Sequence, residues 1–287
     1  GLRYSINNVS STPISSALNF RYEVSEHFST RFSYSRGYRI PELKELYFTF
    51  IDINHNIKGN PNLSTETNDN FQFGIDIKPD KETVRTKLIS YSSSLNFTYY
   101  NKSDAIDIVS INPSLNEFQY LNVGNIKGLI TNVDNRIKYK DYLLVFGGSL
   151  NGFQRLFSNS DNQIETFLYN WTVNANFTYY YKKWDTKFTL INKFYSENPF
   201  VVYNLGINKV ERSEIQSYFY SDFNMSKPIW GDRLNLTIGL RNIFDVQNLR
   251  VNGFSGNVHG SSANNEVNNL WGRTIFTSIT LNLDNVK

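Results

Sequence analysis

The sequence predicts an all-β protein, a transmembrane antiparallel up-and-down β-barrel, from three observations. Apolar and small polar residues alternate along long segments, short and long connections alternate between them, and aromatic residues gather near the segment ends. In residues 89–99 one face reads Ile, Tyr, Ser, Leu, Phe, Tyr, and the other reads Ser, Ser, Ser, Asn, Thr; residues 167–179 show the same alternation. Strand side chains point alternately to opposite faces, so each segment has one face suited to lipid and one suited to an aqueous or plugged lumen. The residues expected to face lipid include Phe97 and Val173, and those expected to face the lumen include Asn96 and Asn174.

Composition limits the classes of protein that remain. The 287 residues are 40% hydrophobic and 16% aromatic, yet no segment approaches the roughly 20 uninterrupted apolar residues of a membrane helix, so membrane insertion has to come from strands. Cysteine is absent, which excludes disulfides and thiolate metal sites. The 29 basic and 26 acidic residues form no long run of either sign, and we expect no nucleic-acid partner.

About eleven long strands are expected, with uncertain boundaries. They cover residues 13–25, 28–38, 68–80, 87–101, 117–139, 143–155, 165–181, 184–196, 213–228, 233–246 and 270–283. The shorter connections are 25–27, 80–86, 140–141, 182–183 and 229–232, and the longer ones are 39–67, 102–116, 156–164, 197–212 and 247–269. In such barrels the short turns face the periplasm and the long loops face the outside of the cell, which places Lys287 on the periplasmic side.

Aromatic residues near the predicted strand ends are expected to form belts at the two membrane surfaces, because their rings accept both hydrocarbon and headgroup contact. These residues are Tyr99 and Tyr100, Tyr179 to Tyr181 with Trp184, Tyr218 to Tyr220, Trp230 and Trp271.

Four segments resemble signatures of one protein family. Tyr-Arg-Ile-Pro at 38–41 is a variant of the FRAP box of TonB-dependent outer-membrane receptors, and Asn-Pro-Asn-Leu at 60–63 is identical to their NPNL box. Residues 239–245 resemble the penultimate strand of that family, and residues 272–283 resemble its closing strand. The motifs occur in the family's order. Proline ends a strand by removing a ladder donor, and Asn242 and Asp245 can bond local backbone where their strand ends, so the boxes could also serve only to shape loops.

The resemblance implies a nutrient importer in the outer membrane of a Gram-negative bacterium, without enzymatic activity. Such a protein has a barrel of ~22 strands, closed by a plug domain and energised through TonB. The chain holds about half of these strands, nothing in it resembles the plug, and it lacks the common terminal aromatic residue. A half barrel would expose unpaired strand edges to lipid. We therefore expect residues 1–287 to be the C-terminal portion of the barrel, with the remaining strands and the plug on another chain segment.

The resemblance leaves several transported ligands open. His55 lies between the two boxes, where haem-uptake members carry a histidine that ligates haem iron, although a histidine in this polar loop could simply hydrogen-bond. His259, in another long connection, could approach the same vestibule or be solvated. A ferric siderophore needs no histidine and would use aromatic and cationic loop residues. Those residues include Tyr47, Tyr203, Arg212 and Phe254.

Other functions also stay open. A cobalamin or oligosaccharide receptor would use similar loop residues. A receptor-like barrel that transports nothing could act as a scaffold for a surface lipoprotein in an outer-membrane complex. For an enzyme the sequence offers neither a phosphate-binding glycine loop nor a helical pair of histidines.

Overall fold

Almost every element of the computed structural model is a β-strand. It describes residues 1–6, 12–52, 56–79, 89–112, 117–157, 166–204, 209–230, 233–252, 266–268 and 271–281. The strands are β1 Leu2–Arg3, β2 Ser15–Glu23, β3 Phe28–Arg39, β4 Thr49–Ile51, β5 Asn56–Lys58, β6 Glu66–Ile77, β7 Ile89–Ser103, β8 Ile106–Asn112, β9 Glu117–Asn122, β10 Gly124–Tyr139, β11 Tyr142–Phe157, β12 Leu168–Tyr181, β13 Thr186–Tyr195, β14 Asn198–Asn204, β15 Lys209–Ile215, β16 Tyr218–Ile229, β17 Leu234–Arg241, β18 Asn248–Asn252, β19 Glu266–Asn268 and β20 Thr274–Leu281. One short helix, α1, spans Leu43–Tyr47, and no described helix is long and apolar enough to cross a bilayer.

Twelve strands form one antiparallel sheet, which we call the wall. Their order is β1-β2-β3-β6-β7-β10-β11-β12-β13-β16-β17-β20. Each strand therefore pairs with the wall strands that come before and after it in the sequence. The prediction of eleven long strands is confirmed to within a few residues at most ends. The expected strand 117–139 instead divides at Val123 into β9 and β10, and the expected strand 213–228 divides after Ile215 between β15 and β16. Strand β1 was not predicted. Within the described ranges β1 and β20 do not pair with each other, so the wall is an open sheet.

Short connections lie at one end of the wall and long connections at the other, as the sequence predicted. Lys140 and Asp141 alone join β10 to β11, and Lys140 adopts a left-handed φ of 51°. Asp185 and Trp230 adopt left-handed φ values of 50° and 53° in two other short turns. A left-handed residue reverses a hairpin within a very short connection, which keeps the paired strands in register.

The pairing register assigns each side chain to one face of the wall. Phe97 pairs with Phe73 and Thr131, and Val173 pairs with Gly148 and Phe194. This side is the apolar face. The side chains of Phe97 and Val173 are 36% and 47% exposed, because no other described layer covers them. The structure confirms that both residues lie on the face opposite Asn96 and Asn174, and the register does not support a sandwich of two stacked layers.

The opposite side is the polar face, and it carries the amides and hydroxyls that the alternation predicted. Asn96 pairs with Asn132, and Asn174 pairs with Gly147 and Lys193. Cross-strand hydrogen bonds join these groups, including one of 3.0 Å between the Ser149 and Thr172 hydroxyls. The apolar and polar faces therefore alternate with a period of two along the whole wall.

The aromatic residues divide between the faces. Tyr142 and Tyr179 stack at 4.8 Å near the short turns, and Tyr181 meets Trp184 edge-on at 5.2 Å, as expected for a belt on the apolar face. Tyr100, Tyr180, Tyr218 and Tyr220 lie on the polar face instead, so the belt prediction is wrong for them. Tyr100 pairs with Asn70, Tyr180 pairs with Lys187, and Tyr218 pairs with the polar-face Tyr195.

Four of the long connections build a second sheet of eight strands, which we call the loop sheet. Its order is β19-β18-β15-β14-β8-β9-β5-β4. It is mixed, since β5 pairs in parallel with β9 and β14 pairs in parallel with β8. A small apolar cluster lies within it and joins two of its hairpins. The cluster consists of Ala105, Val109, Val123 and Val210. The sequence analysis predicted none of these pairings.

Candidate ligand-binding site

The candidate site is the mouth of the polar face, where the wall meets the loop sheet. Three groups of residues build it: the two boxes around α1, a buried turn after β17, and a pocket lined by tyrosines. Each group includes residues on the wall, so a rigid sheet positions the side chains of the site.

Arg39 and Glu66 pair at the ends of β3 and β6 and form the centre of a charge network. Arg39 donates to Glu45 of α1 at 2.8 and 3.0 Å and to Glu66 at 3.3 Å. The Lys102 Nζ lies 2.9 Å from Glu66 Oε1, and the Ile106 backbone N–H donates to Glu66 Oε2 at 3.0 Å. The network therefore links α1, the three wall strands β3, β6 and β7, and the start of β8.

The two carboxylates of this network are buried, with side chains 9% and 7% exposed for Glu45 and Glu66. Burial by itself raises the pKa of Glu66, but the hydrogen bonds from Lys102, the Ile106 amide and Arg39 outweigh it and hold the pKa below its ordinary value. A charged Glu66 is therefore part of the native structure near neutral pH.

The box at 60–63 packs against α1 and the loop sheet. The Asn60 amide nitrogen donates to the Tyr120 carbonyl at 3.1 Å, and its oxygen accepts from the Asn62 N–H at 3.0 Å. Gly59 lies so close to α1 that an added Cβ would be 2.7 Å from the Leu46 carbonyl carbon. The geometry therefore gives both boxes a structural role, which is to fix α1 and the first long connection on the wall.

Asn242 forms the buried turn that ends β17. It is 0% exposed and adopts a left-handed φ of 51°. Its side-chain nitrogen donates to the carbonyls of Val246 and Trp271 at 2.8 and 2.9 Å, and its oxygen accepts from the Val246 N–H at 3.0 Å. Asp245 accepts from the Arg273 N–H at 2.7 Å. The local backbone bonding expected for Asn242 is confirmed by its bonds to Val246, whereas Asp245 instead bonds the distant backbone of the segment before β20.

A pocket of about 470 Å³ lies on the polar face beside this turn. Its lining residues are Tyr195, Tyr218, Tyr220, Arg241, Trp271, Gly272 and Thr274. The rings of Tyr195 and Tyr218 stack with centroids 4.6 Å apart, and the Arg241 guanidinium lies 4.5 Å from the Phe276 ring. Phenol groups and a guanidinium can together hold a flat or aromatic group that carries negative charge.

The residues proposed from sequence lie elsewhere or beyond the described ranges. Tyr47 is an exposed residue at the end of α1, and Arg212 is exposed on β15, 3.9 Å from Glu214; neither lines the pocket. Tyr203 lies in β14, paired with Val210. Three candidates fall outside the described residues: His55, Phe254 and His259. In the described part of the chain, no group of three His, Asp or Glu side chains could hold a metal ion.

The sequence analysis missed the pocket residues because it searched the long connections. A signal was available in the alternation itself. Tyr195, Tyr218 and Tyr220 lie in phase with the polar face on two neighbouring strands, and all three line the pocket at the mouth. Aromatic residues in phase with the polar face cannot serve the apolar face, which indicates a binding function at the mouth.

Comparisons with known proteins agree with this architecture. Residues 1–243 match the family model described as "TonB dependent receptor-like, beta-barrel". The FrpB iron transporter from Neisseria meningitidis is 13% identical with a TM-score of 0.65, and the match covers 93% of this chain and 39% of that one. The siderophore receptor PirA from Acinetobacter baumannii is 17% identical with a TM-score of 0.61, with coverage of 95% and 41%.

A mutant of the ferric enterobactin receptor PfeA from Pseudomonas aeruginosa is 17% identical with a TM-score of 0.63, with coverage of 96% and 41%. At these identities the likeness shows the fold alone. The chain spans about two fifths of the length of these three structures. No curated protein matches the sequence.

Proposed function

The chain belongs to the family of TonB-dependent receptor β-barrels, and from this premise we propose that it forms part of an outer-membrane receptor that imports an iron chelate with energy supplied through TonB. The apolar face contacts membrane lipid and the polar face lines the lumen. The long connections lie outside the cell and the short turns in the periplasm. Further strands pair with the free edges of β1 and β20 and close the barrel around a plug domain.

The observation that carries the proposal is the pocket at the mouth of the polar face. Tyr195, Tyr218 and Arg241 present two stacked phenol rings and a cation toward the lumen, at the end where the long connections meet. A ferric siderophore combines negative charge with flat or aromatic chelating groups, which match these side chains. Five of the seven lining residues lie on wall strands, so most of the surface that the ligand would meet is preformed.

The proposal is tested by binding and uptake of iron-55-labelled ferric enterobactin and a ferric hydroxamate in cells that produce the protein. Tyr218→Ala should weaken binding of the accepted chelate about tenfold, as expected for the loss of a central aromatic contact. Tyr179→Ala is the matched control, because Tyr179 also stacks on a tyrosine but lies on the apolar face.

Two further results bear on the proposal. In cells without TonB, uptake should stop while binding at the cell surface continues. If neither chelate binds, or if the two tyrosine variants behave alike, the pocket is not the site of an iron chelate.

Haem is the second candidate ligand, because His55 directly precedes β5, a strand of the loop sheet that the boxes hold to the wall. A neutral imidazole at this position would supply an axial ligand to haem iron.

A further inference from the structure

We propose that Asn242 is a positioning residue for the pocket: its buried amide fixes Trp271 and the base of the last long connection against the tyrosine-bearing wall. The inference rests on the proposed function, since it takes the pocket to be the site that binds the ligand. It assigns a role in binding to a residue that itself has no exposed atom to offer a ligand.

The side chain of Asn242 makes three hydrogen bonds to backbone groups of other residues. Both hydrogens of the amide nitrogen are used, by the carbonyls of Val246 and Trp271, and the amide oxygen accepts the Val246 N–H. Since Asn242 is fully buried, removing its side chain leaves the two carbonyls and the Val246 N–H without these partners. Only a primary amide offers this pair of donors beside an acceptor at that position.

These bonds close the base of a long connection. Val246 and Trp271 stand near the two ends of the segment that carries β18 and β19 to the loop sheet. A second hydrogen bond joins the two ends of this connection, from the Arg273 N–H to the Asp245 carboxylate. Removing the Asn242 amide should therefore loosen the segment before β20 while leaving the wall strands paired.

Among the pocket residues, the position of Trp271 depends most on the hydrogen bonds of the Asn242 side chain. Its side chain is 92% exposed, so packing contributes little to its position, and its backbone carbonyl is held by Asn242 at 2.9 Å. On the other side of the pocket, Asp222 follows Tyr220 by two residues in β16 and accepts the Asn242 backbone N–H at 2.8 Å. One buried residue thus connects two walls of the pocket.

Asn242→Gly is the variant that isolates the amide, because glycine adopts a φ of 51° without strain. Asn248→Gly, the same substitution at an exposed position of the same connection, is the matched control. In membranes containing the protein, binding of ferric enterobactin should weaken about tenfold in Asn242→Gly and stay unchanged in Asn248→Gly. In a Trp271→Ala background, Asn242→Gly should cause little further loss, since its effect passes through Trp271.

A second measurement needs no ligand. The chain has no cysteine, so a spin label on Arg273→Cys reports the mobility of the segment before β20. Asn242→Gly should make the label more mobile, and Asn248→Gly should not. If wild-type protein does not bind the probe, the proposed function fails, and the label alone decides whether Asn242 holds this segment.

Unchanged binding together with unchanged label mobility in Asn242→Gly would overturn the inference. If the glycine variant does not reach the membrane, Asn242→Asp replaces it, since aspartate keeps the acceptor for Val246 and loses both donors. Failure of both variants to assemble would show that Asn242 serves the fold as a whole, and would equally overturn a specific role in the pocket.

Discussion

An arginine at Leu95 should cost about 2–4 kcal/mol of barrel stability, whereas an arginine at Asn96 should change it by only about 0.5 kcal/mol. The two residues are neighbours on β7 but lie on opposite faces of the wall. Leu95 pairs with Ile75 and Val133, and Asn96 pairs with Gly74 and Asn132. The comparison therefore changes the face that receives the charge while keeping the strand and the depth almost constant.

The magnitude follows from the position of Leu95 in the apolar band. The apolar face of β7 runs from Ile89 to Tyr99, ten residue steps or about 33 Å along the strand. At a tilt of about 45° this spans about 23 Å of the bilayer, which matches the apolar band of such barrels. Leu95 lies close to the middle of this span, so its substitution should have nearly the full midplane cost. Phe97 lies nearer to Tyr99, and Phe97→Arg should cost about 2 kcal/mol.

The assay is guanidinium-induced unfolding of the protein in phospholipid vesicles, followed by tryptophan fluorescence. Asn96→Arg keeps the new charge on the polar face, where the neighbouring Arg31 guanidinium beside Gly74 is already paired with Asp76 at 3.2 Å. Equal free energies of unfolding for Leu95→Arg and Asn96→Arg would refute the assignment of the two faces. The same result would also refute the proposal that the apolar face contacts lipid.

Three other changes test the site. Gly59→Ala should destabilise the first long connection by about 1–3 kcal/mol, because the new methyl group would overlap the backbone of Leu46, and limited proteolysis should then cut that connection faster. Lowering the pH below about 4.3, the ordinary pKa of a glutamate, should release the same connection. The pKa of Glu66 is lowered in the folded protein, so the stabilising charge is lost as the pH falls through this lowered pKa. The release is measured as faster cleavage of the connection by an acid protease. Haem titration should give a Soret shift that His55→Ala weakens if haem is the ligand.

Each of these changes has its own control. Gly37→Ala introduces the same methyl group where nothing lies within 4 Å, and equal proteolysis of both glycine variants would contradict the packing argument. Glu66→Gln should loosen the connection already at neutral pH and remove the acid-dependent step. An acid step that persists in Glu66→Gln belongs to another group. A haem spectrum that does not respond to the protein leaves a siderophore or cobalamin as the better candidate.

The wall could be predicted well from sequence because its signal is local. The alternation in residues 89–99 specifies which side chains share a face before any strand partner is known, and the structure confirms both β7 faces. The turn at Asn242 was also predictable in kind, since its side chain bonds the nearby backbone of Val246, but the bond from the Arg273 N–H to Asp245 was not. The bond from Asn242 to Trp271 was not, because it joins residues from opposite ends of a long connection.

The candidate site was predicted less well. Exposed loop residues such as Tyr47 and Arg212 have the right chemistry for a ligand, but the pocket forms on the wall instead. Its residues come from β13, β16, β17, the segment before β20 and the first residue of β20. Which of their side chains meet depends on the pairing register, and register is set by contacts along whole strands.

The sequence by itself determined that this protein builds a two-faced antiparallel wall with short turns at one end and long connections at the other. Strand period and turn length are properties of neighbouring residues, so they can be read along the chain. Only the tertiary structure decided that the long connections join into a loop sheet and that Tyr195, Tyr218, Arg241 and Trp271 line one pocket. Loop strands as short as three residues carry little signal of their own, and they form because distant segments such as β5 and β9 supply the hydrogen-bonding partners.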